Sequence, residues 1–254
     1  MSYLAFLTIF LLPPLLVAAV AARVRGLPPR APAALALMVA VALAWTTPWD
    51  NYLVAGGVWS YGPGRVLGVI GYVPVEEYLF FVLQPLLAGL WTGLLLGPDP
   101  EPAPPGPAVA PAVAWLVVTA AGVALAVTGA ATYLGLILLW AGPALAFQRL
   151  AGGRVLAARR RLRLLAIGVP TLYLWAADAF AIRDGIWRIA PEATIGVGAG
   201  GLPLEEAVFF LLTNVLVVDG ILLVIAGRMR LGRGRVIDSR RARRGRVPAG
   251  GDDA

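Results

Sequence analysis

The 254-residue chain contains no cysteine, no histidine and no lysine. Without cysteine there are no disulfides, and without cysteine or histidine there is no thiolate or imidazole metal centre, so no metal site is expected. Proton chemistry is left to Glu, Asp, Tyr and Arg. Charge is also scarce, at 14% of residues, against about 25% in a soluble domain whose surface must stay hydrated. A soluble fold is therefore excluded.

What fills the chain is a series of long apolar runs. They cover Tyr3 to Ala22, Ala31 to about Thr47, Pro74 to Leu96, Ala108 to Val127, Ala130 to Phe147, about Leu162 to Ile182, and Leu202 to Ala226. Runs of about 20 residues suit α-helices that cross a hydrocarbon core of roughly 30 Å. The fold class expected is an all-α polytopic membrane protein with about seven transmembrane helices. The first run has no basic residue before it and no polar domain after it, which favours a retained helix over a signal peptide.

Arginine supplies every basic charge, and its placement decides what the net charge of +7 means. Arg23, Arg25 and Arg30 lie between spans one and two. Arg149, Arg154, Arg159, Arg160, Arg161 and Arg163 lie between spans five and six, and nine more lie from Arg228 to Arg246. Seven spans put all of these on one side, leaving Arg65, Arg183 and Arg188 opposite. The positive-inside rule then predicts an integral cell-membrane protein with its N-terminus out and its C-terminus cytoplasmic. The Arg-rich tail reads as a topology anchor expected to be disordered, and no nucleic-acid partner is expected.

The chain repeats itself. A shift of 128 residues places Asp50 on Asp178 and Trp59 on Trp187. One inserted residue then brings Pro74-Val75-Glu76-Glu77-Tyr78-Leu79-Phe80-Phe81 onto Pro203-Leu204-Glu205-Glu206-Ala207-Val208-Phe209-Phe210. The boundaries read as a first three-helix repeat over 1–97, a Pro-rich linker and connecting helix over 98–129, a second three-helix repeat over 130–227, and a tail over 228–254. Three helices reverse the side of the membrane, so one connecting helix makes the two repeats parallel, about a pseudo-two-fold axis along the membrane normal.

Each copy of the motif starts a membrane helix with two carboxyls. Pro and Glu in a first turn are also ordinary helix-start chemistry. Duplication, with a matching Asp and Trp before each copy, points instead to a paired acidic site, because ionisable groups at such positions are costly. Glu76, Glu77, Glu205, Glu206, Asp50 and Asp178 are the candidate catalytic residues. Adjacent residues on a helix point about a quarter-turn apart, so only one glutamate of each pair is expected to face a common pocket. A protonated carboxyl there is a general acid, and aromatic faces stabilise a cation where water is excluded. The candidate cation-stabilising or substrate-binding residues are Phe80, Phe81, Phe209, Phe210, Trp59, Trp187, Tyr78 and Asn51. The tryptophans also fit a membrane-interface belt.

The duplicated Pro-x-Glu-Glu-x-x-Phe-Phe motif, Trp49-Asp50-Asn51-Tyr52 and Gly57-Val58-Trp59-Ser60-Tyr61 resemble the bacterial, archaeal and fungal lycopene cyclase domain family, here in fused single-chain form. The resemblance spans nearly all of residues 1–227. It implies carotenoid biosynthesis, with the ψ-ends of lycopene closed into ionone-type rings, β by expectation, in a redox-neutral isomerisation started by a glutamate of the 76–77 or 205–206 pair. Asp50 and Asp178 would orient or recharge that acid. The second copy departs from the first at Ala179 for Asn51, Ala207 for Tyr78 and Thr213 for Gln84, which implies divided labour between the halves.

Other readings share these features. A carotenoid hydratase would trap the same cation with water, and a proton-coupled transporter would also carry intramembrane glutamates in a repeat. Spans three and seven are almost wholly apolar after their first turn, which favours a lipid-soluble carotenoid substrate. Gly196-Val197-Gly198-Ala199-Gly200-Gly201 lacks the strand–helix setting of a dinucleotide loop and reads as a flexible connection. No cofactor is evident; a non-redox electrostatic role for FAD or NAD(P)H stays open, as do a homo-oligomer and contact with other carotenoid enzymes. The number of rings and β versus ε geometry are not encoded in any motif.

Overall fold

The computed structural model describes residues 1–227, so the expectation of a disordered Arg-rich tail falls outside the described residues. Seven helices within it are long and apolar enough to cross a membrane. They are α1 (Tyr3–Arg25), α2 (Ala31–Ala55), α3 (Val75–Leu96), α4 (Val109–Thr128), α5 (Thr132–Ala158), α6 (Arg160–Asp184) and α7 (Leu204–Gly227). Helix α1 contains a π turn over Leu7–Leu11 just ahead of Pro13 and Pro14. Neither proline can donate to the preceding turn, so the ladder must adjust there.

Two helices outrun their expected ends. Helix α2 passes through Pro48 and carries Asp50, Asn51 and Tyr52 to Ala55. Helix α5 continues past Phe147 to Ala158, with a kink at Gly152. Polar residues that look like loop in the sequence are helical because the fold pairs or encloses them. The Arg149 guanidinium, for example, meets the fully buried Asp219 of α7 at 2.8 Å. Arg163 of α6 reaches the other oxygen of the same carboxylate at 2.6 Å, which ties three helices together. Its two partners offset the cost of burying Asp219.

The packing follows the repeat. Helices α3 and α7, which begin with the two glutamate motifs, touch at the centre. Helix α3 also packs on α1, α2 and α6, and α7 packs on α5, α6 and α2. Helix α4 packs on α5 alone among the closely contacting pairs, as befits a connecting helix.

The connections before α3 and α7 are built, not loose. Strands β1 (Trp59–Tyr61) and β4 (Trp187–Ile189) join the repeats as an antiparallel ribbon, with Ser60 opposite Arg188. Strands β2 (Val69–Ile70) and β3 (Val73–Pro74) make a hairpin, and β5 (Gly198–Ala199) with β6 (Leu202–Pro203) makes its counterpart. Gly200 and Gly201 turn the second hairpin with φ of 62° and 89°, values that favour residues without a Cβ. The glycine-rich segment is thus a tight turn rather than a flexible connection.

Candidate active site

The hairpins set the first turn of each motif helix. Glu76 Oε1 accepts a hydrogen bond from the Leu67 backbone N–H at 2.9 Å, and Glu205 Oε1 accepts one from Ile195 at 2.7 Å. Both carboxyls are buried, and each keeps a second oxygen without a partner among the described residues. The first glutamate of each pair therefore pins the incoming loop to its helix.

A step of about 100° around the helix sends the second glutamate elsewhere. Glu77 and Glu206 line one small internal cavity of about 30 Å³. The Tyr61 hydroxyl of β1 donates to Glu77 Oε1 at 3.0 Å. The Tyr133 hydroxyl of α5 donates to Glu206 Oε1 at 2.6 Å. Once a glutamate has given up its proton, such a bond to the carboxylate belongs to the strong, charge-assisted class. Burial, and next the negative charge of Glu77, push the Tyr61 phenol well above its ordinary value, so it remains a donor at any physiological pH.

The two aspartates flank these glutamates. Asp178 lines the same cavity as Glu206, and its Oδ1 accepts the Trp187 indole N–H at 2.9 Å. Asp50 is fully buried, has Glu77 and then Glu206 as its main charged neighbours, and leaves both oxygens without a partner among the described residues. Unpaired carboxyl oxygens in a buried site are costly and mark a group kept for a purpose other than packing.

Aromatic rings close the chamber. Phe80 meets Phe210 edge-on at 6.0 Å, Phe209 meets Phe210 at 5.3 Å, and Trp59 meets Phe209 at 5.9 Å. Trp187 packs between Tyr3 at 4.9 Å and Phe6 at 5.2 Å. Leu174 and Ala177 complete the wall, and no basic side chain lines it among the described residues. An apolar chamber with carboxyls, phenol donors and ring faces can hold a proton donor against a hydrocarbon and shelter the cation that protonation creates.

Three of the expected cation-stabilising or substrate-binding residues lie outside it. Asn51 Oδ1 accepts the Tyr72 backbone N–H at 2.9 Å, beneath Gly71, whose φ is 67° and where any Cβ would meet that oxygen at 2.4 Å. Tyr78 donates to the Ile70 carbonyl at 3.0 Å. These two residues clamp the first hairpin, and Ala179 and Ala207 leave the second hairpin without that clamp. Phe81 is buried against Tyr78 and not on the cavity. Conversely, Tyr3, Tyr61 and Tyr133 stand in or on the site and were not among the expected residues. A signal existed for two of them: Ser2-Tyr3-Leu4 and Thr132-Tyr133-Leu134 open the two repeats, at a shift of 130 instead of 128.

The sequence profile of the family described as lycopene cyclase matches residues 1–95 and 125–220, one match in each repeat. The chain is 46% identical over 225 residues to a protein named lycopene beta-cyclase from Halobacterium salinarum, covering 87% of this chain and 95% of that one. It is 35% identical over 195 residues to a bifunctional lycopene cyclase/phytoene synthase from Aspergillus niger, covering 73% of this chain and 34% of that protein. A bifunctional protein of the same name from Gibberella fujikuroi is 36% identical over 197 residues, covering 74% of this chain and 34% of its own length. No solved structure matches the chain.

Proposed function

This chain belongs to the lycopene cyclase family, and on that premise we propose that Glu77 and Glu206 carry the proton chemistry of ring closure in the cavity they share. The chain is a membrane enzyme of carotenoid biosynthesis, a lycopene β-cyclase. The observation that carries the assignment of roles is the convergence of one glutamate from each repeat on a single aromatic chamber.

The steps follow from the substrate's chemistry. A protonated glutamate transfers its proton to C2 of the terminal alkene, leaving a cation at C1. The C5=C6 π electrons form the C1–C6 bond and move the charge to C5. Loss of the C6 proton restores a C5=C6 double bond and completes the β-ring. One proton enters and one leaves, so the reaction consumes no oxidant or reductant. The carboxylate left by the first step, or its counterpart from the other repeat, takes the departing proton. Asp178 beside Glu206 and Asp50 near Glu77 orient and recharge the acids, while Tyr61 and Tyr133 hold them in place. The rings of Phe80, Phe209, Phe210 and Trp59 stabilise the travelling charge.

Water would trap the C1 cation and make a hydratase. The ring faces of Phe80, Phe209, Phe210 and Trp59 that wall the cavity favour internal attack by the double bond. By the positive-inside rule the ends bearing Arg23, Arg25, Arg30 and the 149–163 arginines face the cytoplasm, and the N-terminus with the chamber lies toward the opposite face.

The test is expression in cells that accumulate lycopene, with the pigments identified. β-Ringed products are expected. Unchanged lycopene, with the protein present in the membrane, would overturn the reading.

A further inference from the structure

A second cavity, of about 880 Å³, lies beside the chamber. Helices α2 and α5 both pack on α7 but hardly touch each other, and the gap between them is this cavity. Trp45 and Trp49 bridge the gap near one end. Trp45 donates its indole N–H to the Trp140 carbonyl at 3.2 Å, and Trp49 donates to the Leu136 carbonyl at 3.1 Å. The cavity begins at Trp45, Gln84 and Trp140 and ends at Gly106, Val155 and Val224. From Trp140 to Val155 it follows α5 for about 22 Å at the rise of an α-helix, so its shape is a slot parallel to the helices.

The slot and the chamber share a wall. Trp140, which lines the slot, stacks on Trp49 at 5.0 Å and meets Phe209 at 5.7 Å. Phe209 also lines the carboxyl chamber. One aromatic layer separates the two spaces. The chamber is far too small for more than part of a reacting end, and lycopene is a long, stiff polyene whose remaining length must lie somewhere apolar. We propose that the slot between α2 and α5 binds the polyene body of the carotenoid while its end passes the Trp140–Phe209 layer to reach Glu77 and Glu206. This assignment rests on the cyclase reading above. The occupant is the substrate rather than a membrane acyl chain because a single aromatic layer, Trp140 against Phe209 at 5.7 Å, stands between the slot and the acid site.

The test compares two substrates on the full-length protein in membranes: lycopene, and a ψ-ended polyene less than half its length. Ala144→Phe and Ala42→Phe fill the slot from opposite walls without touching the chamber. Overpacking a fitted site predicts a fall of at least about tenfold in kcat/KM for lycopene. The short polyene, whose tail does not enter the slot, should change by no more than about twofold. Having two variants guards against one that fails to fold. Equal losses on both substrates in both variants, or unchanged lycopene turnover as expected for a lipid-filled groove, would overturn the slot and leave the cyclase reading intact. A wild-type protein that closes neither substrate would overturn the cyclase reading itself.

Discussion

Glu77 of α3 and Glu206 of α7 face the same cavity, each held by a tyrosine hydroxyl, while their neighbours Glu76 and Glu205 turn away to accept a loop N–H. Identical dipeptides in two repeats thus divide into one inner and one outer carboxyl each. Helix rotation makes the division, and the hairpins fix it.

The two classes of glutamate should respond differently to substitution. Glu77→Gln and Glu206→Gln remove a proton donor, which predicts a fall in ring formation of about 10²- to 10⁴-fold. Glu76→Gln and Glu205→Gln keep an oxygen that can accept the loop N–H, so activity should stay within roughly an order of magnitude of the parent. Pigment analysis per unit of membrane protein reads both. Comparable losses from all four variants would remove the inner–outer distinction.

Tyr133→Phe deletes the 2.6 Å hydrogen bond to Glu206 with little change of shape. Loss of a bond to a charged group is worth about 1.5–3 kcal/mol, so turnover should drop by roughly 10- to 150-fold if all of it is felt in the transition state. Tyr61→Phe should act in the same direction through Glu77. Purified variants that melt like the parent yet turn over slowly would meet this expectation; unaltered turnover would contradict it.

Asn51→Ala should behave as a change to the scaffold. It removes the acceptor for the Tyr72 N–H and the donor to the Thr47 carbonyl. A cost of about 1–3 kcal/mol in stability is expected, with the ring product itself unaltered. Thermal unfolding in detergent, together with product identification, separates this outcome from a direct role in the chemistry.

Asp219→Ala leaves Arg149 and Arg163 without their shared partner at the far end of α5, α6 and α7. Breaking a buried pair in this way costs about 3–5 kcal/mol. The variant should lose most of its folded yield. A double variant that also replaces Arg149 with Met should recover part of it, because no buried charge is then left without its partner at that position. Folded yield by size-exclusion chromatography checks both.

Much of this arrangement was legible before any coordinates. Seven runs of apolar length specify seven spans, since backbone groups in hydrocarbon must satisfy one another within a helix. The doubled Pro-x-Glu-Glu-x-x-Phe-Phe motif marked the acidic pairs, and helical geometry alone limited each pair to one residue per face. The helix ends were less legible. Pro48 with Asp50, and Arg149 with Arg154, look like the close of a span because proline and charge usually end one. Here α2 and α5 continue, with Asp50 enclosed beside Glu77 and Arg149 neutralised by Asp219.

The sequence by itself determined the membrane class, the repeat and the two glutamate pairs, because hydropathy, period and motif spacing are local properties of the chain. Only the tertiary structure decided which glutamate of each pair turns inward, that Asn51 and Tyr78 serve a hairpin, and that Tyr3, Tyr61 and Tyr133 join the site. Those outcomes depend on how α3 and α7 are rotated against each other and on the register of the β1–β4 ribbon. Both are set by contacts between residues more than a hundred positions apart.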